Sequence, residues 1–349
     1  MDIAELLSEA VQKNASDLHI IANAPPVFRI NGELIVSEDH ATMKPEETKK
    51  FIYSFLSDSQ KVAFEDKKEL DFSLNIPKVT RFRVNVHMQR GNIEAALRVV
   101  PLNIPAIEEL NLPEIVKDLI NRPNGIIIVT GPTGMGKTTT LASLVDRINQ
   151  ENKSLIITVE DPIEYVHSNK QGVVKQREVG SDTLSFANAL KYTLRQDPDV
   201  ISVGEMRDLE TIATALTAAE TGHLVLTTLH TPDAPQTIDR IIDVFPPHQQ
   251  QQIKTQLSGC LQAIISQLLL PRADKEERIL ATEVLIATPA IRALIREQRT
   301  EQIPSSIQTG AQFGMQSMDK SLKELYQKGL ITYEAAISQA KNPMDFKKM

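Results

Sequence analysis

The sequence predicts an α/β protein: a small α/β unit, then a larger and mostly parallel sheet covered on both faces, then a helical C-terminal region. Three observations carry this. The stretch RFRVNVHM (81–88) alternates strictly, with Phe82, Val84, Val86 and Met88 on one face and Arg81, Arg83, Asn85 and His87 on the other. That is the period of a strand with one wet face. Further on, the apolar runs GIIIVT, SLIITVE, DVISVGE and HLVLTTLH alternate with helical segments, as strands buried on both faces do. Between the two patterns, VPLNIPAIEELNLP concentrates Pro101, Pro105 and Pro113 and reads as a linker.

The elements follow in order. DIAELLSEAVQK places Ile3, Leu6, Leu7, Ala10 and Val11 on one helical face. DLHIIANAPPVFRINGELI gives two short β-like runs, broken by Pro25–Pro26 and followed by a turn at Asn31–Gly32. A helix at about 45–65 leads to the alternating strand. Residues 1–100 thus form one domain, with the linker at 101–113. In a core of residues 114–265, helices start near Thr138, Ser185 and Asp208. TPAIRALIREQR and MDKSLKELYQKGLITYEAAISQA have helical spacing, so residues 266–349 are expected to be helical.

Composition narrows the function. The 349 residues are 41% hydrophobic and 24% charged, an ordinary globular balance long enough for two or three domains. A net charge of −7 gives nucleic acid no obvious hold. Cys260 is the only cysteine, which excludes an internal disulfide and any paired-CxxC zinc element. The N-terminal stretch lacks the apolar core of a signal peptide, and no apolar run is long enough to span a bilayer. The expected address is the cytosol.

GPTGMGKTTT (131–140) fits G-x-x-x-x-G-K-[ST] between an apolar strand and a helix, the context this motif requires. Backbone N–H groups around Thr133, Gly134, Met135, Gly136, Lys137, Thr138 and Thr139 would cradle phosphate oxygens at a helix N-terminus. Lys137 would reach the β/γ-phosphates and Thr138 would offer its hydroxyl to Mg²⁺, so ATP and Mg²⁺ are the expected cofactors.

The second half of such a site is unusual here. VISVGEMRD (200–208) ends an apolar run in Glu205, but Gly204 stands where many P-loop ATPases place the Mg²⁺-holding aspartate. Glu205, at the edge where ligands collect, can orient or deprotonate a water; a strand-end glutamate can also do no more than cap the next helix. SLIITVE is followed by DPIE, so Glu160, Asp161 and Glu164 offer carboxylates at the same edge and are expected to supply the charge absent at Gly204, with Glu160 and Asp161 near Mg²⁺ partly through water. Acids before a turn are also common surface features. His223 and His230 lie seven apart, on opposite sides of an extended strand, which argues against a shared metal. His230, at the strand's C-terminal end, is the better candidate for sensing the γ-phosphate.

The order of P-loop, VEDPIE, VGEMRD and TGHLVLTTLHT resembles the secretion and type IV pilus ATPase superfamily, whose Walker A, Asp box, atypical Walker B and His box these would be. ASDLHI (15–20) is similar to that superfamily's N-terminal signature, and AIRALIRE (290–297) and GAQFGMQSMDKSL are similar to segments of its pilus retraction (PilT) family. Ala293 departs from that family's usual Asn, and Met135 from its usual Ser. The resemblance implies a PAS-like N-terminal domain, a RecA-like ATPase domain and a homohexamer. It also implies action on an inner-membrane pilus platform protein from the cytoplasmic face, with no nucleic acid and no transmembrane segment. It further implies that Arg81 and Arg83, with Arg98 on the next strand, reach the nucleotide's phosphates; the plain alternative is a solvated basic face. AIRALIRE by itself is an amphipathic helix with a core stripe of Ile291, Leu294 and Ile295 and an i,i+4 pair, Arg292 and Arg296. Rival readings are a pilus-assembly or secretion ATPase, a non-hydrolysing nucleotide switch and a DNA motor.

Overall fold

The structure, a computed structural model, describes residues 3–30, 32–76, 80–100, 103–275 and 277–346. Asn31 of the expected turn and Pro101 of the expected linker lie outside the described residues. The chain divides into two compact units, Met1–Asn103 and Ile104–Met349.

The first unit is an antiparallel sheet of β1 (Asp17–Ile20), β2 (Val27–Ile30), β3 (Glu33–Val36), β4 (Glu69–Ile76), β5 (Thr80–Gln89) and β6 (Asn92–Val99), ordered β3-β2-β1-β6-β5-β4. One face, with Leu18, Phe28, Phe82, Val84, Val86 and Leu97, shares a core with the apolar sides of helices Ile3–Gln12, Pro45–Tyr53 and Asp58–Lys67. The single helix expected at 45–65 is two, because the Ser57 hydroxyl accepts the Gln60 N–H and starts a second helix there. Met88, expected on the buried face, is exposed beside the Arg90–Gly91 turn, where both residues have positive φ. On the opposite face, Arg83 stands across from Arg98, and Arg98 Nε donates to Asp17 Oδ1 at 2.9 Å.

The second unit is built on β7 (Gly125–Thr130), β8 (Leu155–Glu160), β9 (Val173–Glu178), β10 (Val200–Val203), β11 (Leu224–Leu229), β12 (Leu261–Pro271) and β13 (Arg278–Ile286). Their order is β13-β12-β7-β11-β10-β8-β9, parallel throughout except for β12–β13. All six residues of β7 are buried. Ile126 and Ile128 face a core with helices Leu209–Glu220, Ala234–Asp243 and Pro247–Cys260; Ile127 and Val129 face another with helix Lys137–Glu151. The near-continuous apolar sequence of the strand follows directly from having a core on each side.

Two differences from the sequence reading concern this sheet. Strands β12 (Leu261–Pro271) and β13 (Arg278–Ile286) occupy the start of the region expected to be helical from residue 266. Helix Pro247–Cys260 passes into β12 without a turn residue, and LQAIISQLLL is buried on both faces, so neither a boundary nor a period marks it. The second half of the proline-rich stretch belongs to this unit, since Ile107 packs against the helix that follows the phosphate loop. Near the C-terminus, Lys341 Nζ reaches Asp233 Oδ2 at 2.9 Å and Glu283 Oε2 at 3.3 Å, and its N–H donates to Asp319. Burial pushes the Cys260 thiol up to about 12, so it stays protonated. Among the described residues no helix is long and apolar enough to cross a membrane.

Candidate nucleotide hydrolysis site

The phosphate loop connects the C-terminal end of β7 to helix Lys137–Glu151. Thr130 Oγ1 lies 2.6 Å from Thr231 O and 2.7 Å from Thr231 Oγ1, which ties this loop to the one after β11. Gly131 has φ +143°, and a Cβ there would sit 2.5 Å from Gln267 O, so no side chain fits. The N–H groups of Gly134, Met135 and Gly136 find no acceptor among the described residues. Those of Lys137, Thr138 and Thr139 form the open first turn of the helix. A row of unpaired N–H groups at a helix N-terminus suits a polyphosphate. The loop is pinned from β12 and β13: Leu269 N–H donates to Met135 Sδ at 3.2 Å and Arg278 Nη1 to Gly134 O at 3.2 Å.

Lys137 is buried and donates to Gly131 O at 2.7 Å and Pro132 O at 2.9 Å, with His230 Nδ1 at 3.4 Å. Burial pulls its pKa down, and the Glu205 carboxylate acts against that shift. His230 Nε2 lies 3.3 Å from Glu205 Oε2, so a neutral ring that accepts from Lys137 donates to Glu205. Arg207 Nε holds the other Glu205 oxygen at 2.6 Å. Lys137, His230, Glu205 and Arg207 form one continuous polar chain.

The register of β8 and β10 explains Gly204. Val203 pairs with Val159, and Gly204 N–H donates to Val159 O at 2.8 Å, which brings Gly204 beside Glu160. A Cβ at position 204 would lie 3.3 Å from Val159 O and 3.5 Å from Glu160 Cα, a tight fit. Glu160 Oε1 accepts from Thr158 Oγ1 at 2.6 Å and Gln176 Nε2 at 3.0 Å. Burial raises the pKa of this carboxyl, and those donors with the Glu164 N–H partly offset it. Asp161 and Glu164 are exposed. Thr138 is half-buried, and its hydroxyl meets no partner among the described residues, where no group of three or more His, Cys, Asp and Glu converges as a metal site. A free hydroxyl at the loop with carboxylates on the adjoining strands fits a Mg²⁺ held by phosphates and water better than one caged by protein. A cleft of about 440 Å³ opens beside the loop, lined by Met135, Gly136, Thr139, Leu269, Arg278 and Leu280 among others.

The fold therefore gathers residues 133–139, Glu160, Glu205 and His230 at one sheet edge. Arg81 and Arg83 lie in the first unit, on the polar face of its sheet. His223 is at the opposite end of β11 from His230, with Nδ1 3.0 Å from Ala218 O. Sequence reasoning missed Arg207, although it stands in VGEMRD, and Tyr165, whose hydroxyl lies 3.0 Å from Thr139 Oγ1. In AIRALIRE, Ile291 and Ile295 are buried. Arg292 is half-buried and donates to the carbonyls of Ala287, Ser258, Gly259 and Leu261, while Arg296 is exposed.

The family model described as Type II/IV secretion system protein matches residues 1–342. The chain is 48% identical over 349 residues to the type IV pilus retractation ATPase PilT of Pseudomonas aeruginosa, covering 99% of this chain and 100% of that one. It is 46% identical over 340 residues to a twitching motility protein of Neisseria gonorrhoeae, covering 97% and 91%. Among solved structures it is similar to the pilus retraction motor PilT with bound ADP, at a TM-score of 0.94 and 50% identity over 100% of both chains. It is also similar to the ATPase DotB of Legionella pneumophila, at 0.83 and 29% over 95% and 93%.

Proposed function

Since the chain belongs to the Type II/IV secretion system protein family, we propose that it is an ATP-hydrolysing motor that drives retraction of a type IV pilus. It works as a homohexamer at the cytoplasmic face of the inner membrane, on the platform protein of the pilus machine. The observation that carries this reading is the Glu205 carboxylate, held between Arg207 and His230, with His230 in turn against the phosphate-loop Lys137.

ATP would lay its phosphates along the N–H groups of residues 134–139, with base and ribose in the adjoining cleft. Lys137, now bonded to loop carbonyls, exchanges them for phosphate oxygens. His230 then loses its donor at Nδ1, which couples γ-phosphate arrival to the hydrogen bond that His230 makes with Glu205. Glu205 orients the attacking water and accepts its proton. Thr138, with Glu160 and Asp161 partly through water, would hold Mg²⁺, which would supply positive charge to the phosphates. Arg81 and Arg83 supply further positive charge to the phosphates.

Glu205→Gln tests the centre of this scheme. Phosphate release should fall by about 10²–10⁴ while ATP binding persists. A wild-type chain that binds ATP without turnover would make it a nucleotide switch instead. In a null strain, complementation should restore twitching; hyperpiliation that persists would remove the retraction assignment and favour the opposite direction of work.

A further inference from the structure

We propose that Gln176, on the edge strand β9, is a positioning residue for hydrolysis: its amide fixes the Glu160 carboxylate and fastens the segment after it against the phosphate-loop helix. This rests on the ATPase reading of the site. Gln176 pairs in register with Thr158, so its side chain shares a face with Thr158 and Glu160. Its Nε2 donates to Glu160 Oε1 at 3.0 Å and to Tyr165 O at 2.8 Å, while its Oε1 accepts the His167 N–H at 2.7 Å. One side-chain amide therefore engages three groups spread from 160 to 167.

The segment it holds is the one that carries the acids. Glu178, two residues along the same strand, accepts the Ile163 N–H at 2.9 Å, so β9 clasps the loop twice. Tyr165, whose carbonyl Gln176 holds, directs its hydroxyl to Thr139 Oγ1 at 3.0 Å. Thr139 is two residues beyond Lys137. A continuous path thus runs from β9 through the loop to the start of the phosphate-binding helix. An edge-strand residue needs only to be polar; a glutamine using both ends of its amide on three partners is placed by geometry that Glu, Leu or Lys cannot reproduce. The carboxylate it orients stands beside Gly204, which has no side chain to offer and where a Cβ would fit only tightly.

The test uses the full-length protein with Gln176→Leu, which removes both ends of the amide, and Gln176→Glu, which keeps the shape and the acceptor for His167 but not the donor. In steady-state ATPase assays both should lower kcat at least about tenfold while KM for ATP and ADP affinity stay within about threefold. In a double-mutant cycle, Glu160→Gln with Gln176→Leu should lose clearly less than the product of the two single effects, because the glutamine acts in part through that carboxylate. Native-state hydrogen exchange on the nucleotide-free protein should show amides 164–168 exchanging about tenfold faster in Gln176→Leu, with His167 still protected in Gln176→Glu. Unchanged kcat in both variants, additive losses in the cycle, or unchanged exchange overturns the proposal. Absence of turnover in the wild type counts against the ATPase reading instead, and the exchange comparison then still decides whether Gln176 holds the segment.

Discussion

His167 should make this protein lose stability in mild acid, and a single substitution should remove most of that loss. The ring is 3% exposed, its Nδ1 is buried without a hydrogen-bond partner, and Asp146 Oδ1 is 3.9 Å away and already engaged by Lys170 Nζ at 2.7 Å. Burial, partly opposed by Asp146, lowers its pKa from 6.5 to about 4. Above pH 6.5 the imidazole is neutral folded and unfolded, and the shift costs nothing. As pH falls below 6.5 the unfolded chain takes up a proton that the folded chain refuses until about 4, so stability declines across that window. The full gap corresponds to roughly 3 kcal/mol, of which about 2 kcal/mol is lost by pH 5. For a unit of this size that is a fall of roughly 4–8 °C in Tm between pH 7 and pH 5. His167→Phe fills the same space without a proton to bind, so its Tm should change much less over that range. The assay is thermal unfolding of both proteins at matched ionic strength. Parallel Tm curves from pH 7 to pH 5 would show that His167 is not the proton-linked group.

Arg83→Ala should lower ATP turnover while the far-UV spectrum and Tm stay close to wild type; unchanged turnover returns the arginine face to plain solvation. Arg292→Met leaves the carbonyls of Ser258, Gly259 and Leu261 without their donor and should cost about 3 kcal/mol in urea unfolding. Arg292→Lys should recover little, since one ammonium cannot span the same fan of acceptors; a loss below about 1 kcal/mol would contradict the role. Lys341→Met removes the cation facing Asp233 and Glu283. Half exposure of the ammonium keeps the expected loss near 1–2 kcal/mol, less than a fully buried pair would show. Calorimetry at pH 7 reads it, and no change in Tm would mean that solvent already compensates both carboxylates.

The strands that build the site announce themselves because burial on both faces leaves only apolar residues, so β7, β8, β10 and β11 stand out along the chain. Their order across the sheet does not, yet it decides the chemistry: β8 beside β10 is what brings Glu160 to Gly204. Glu205 and His230 can be picked out as strand-end residues, but the partner that fixes the second Glu205 oxygen, Arg207, follows no period. Gln176 is harder still. VVKQRE contains no helix, turn or alternation signal strong enough to mark an edge strand, and the meaning of its glutamine lies in three groups contributed by another segment. The same limitation hid Arg292, three of whose acceptors lie about 30 residues earlier, where a different helix passes into β12.

That arginine gives helix Pro289–Arg296 a mechanical connection to the sheet. Helix Pro289–Arg296 is bolted through one guanidinium to the end of helix Pro247–Cys260 and to Leu261, the first residue of β12. Beside β12 runs β7, with Ile265 next to Val129 and Ser266 next to Thr130, and β7 opens directly into the phosphate loop. Close-packed strands are stiff and transmit displacement. A push on this helix therefore enters the sheet one strand away from the loop that holds phosphate, through the Arg292 guanidinium and the buried packing of Ile291 and Ile295.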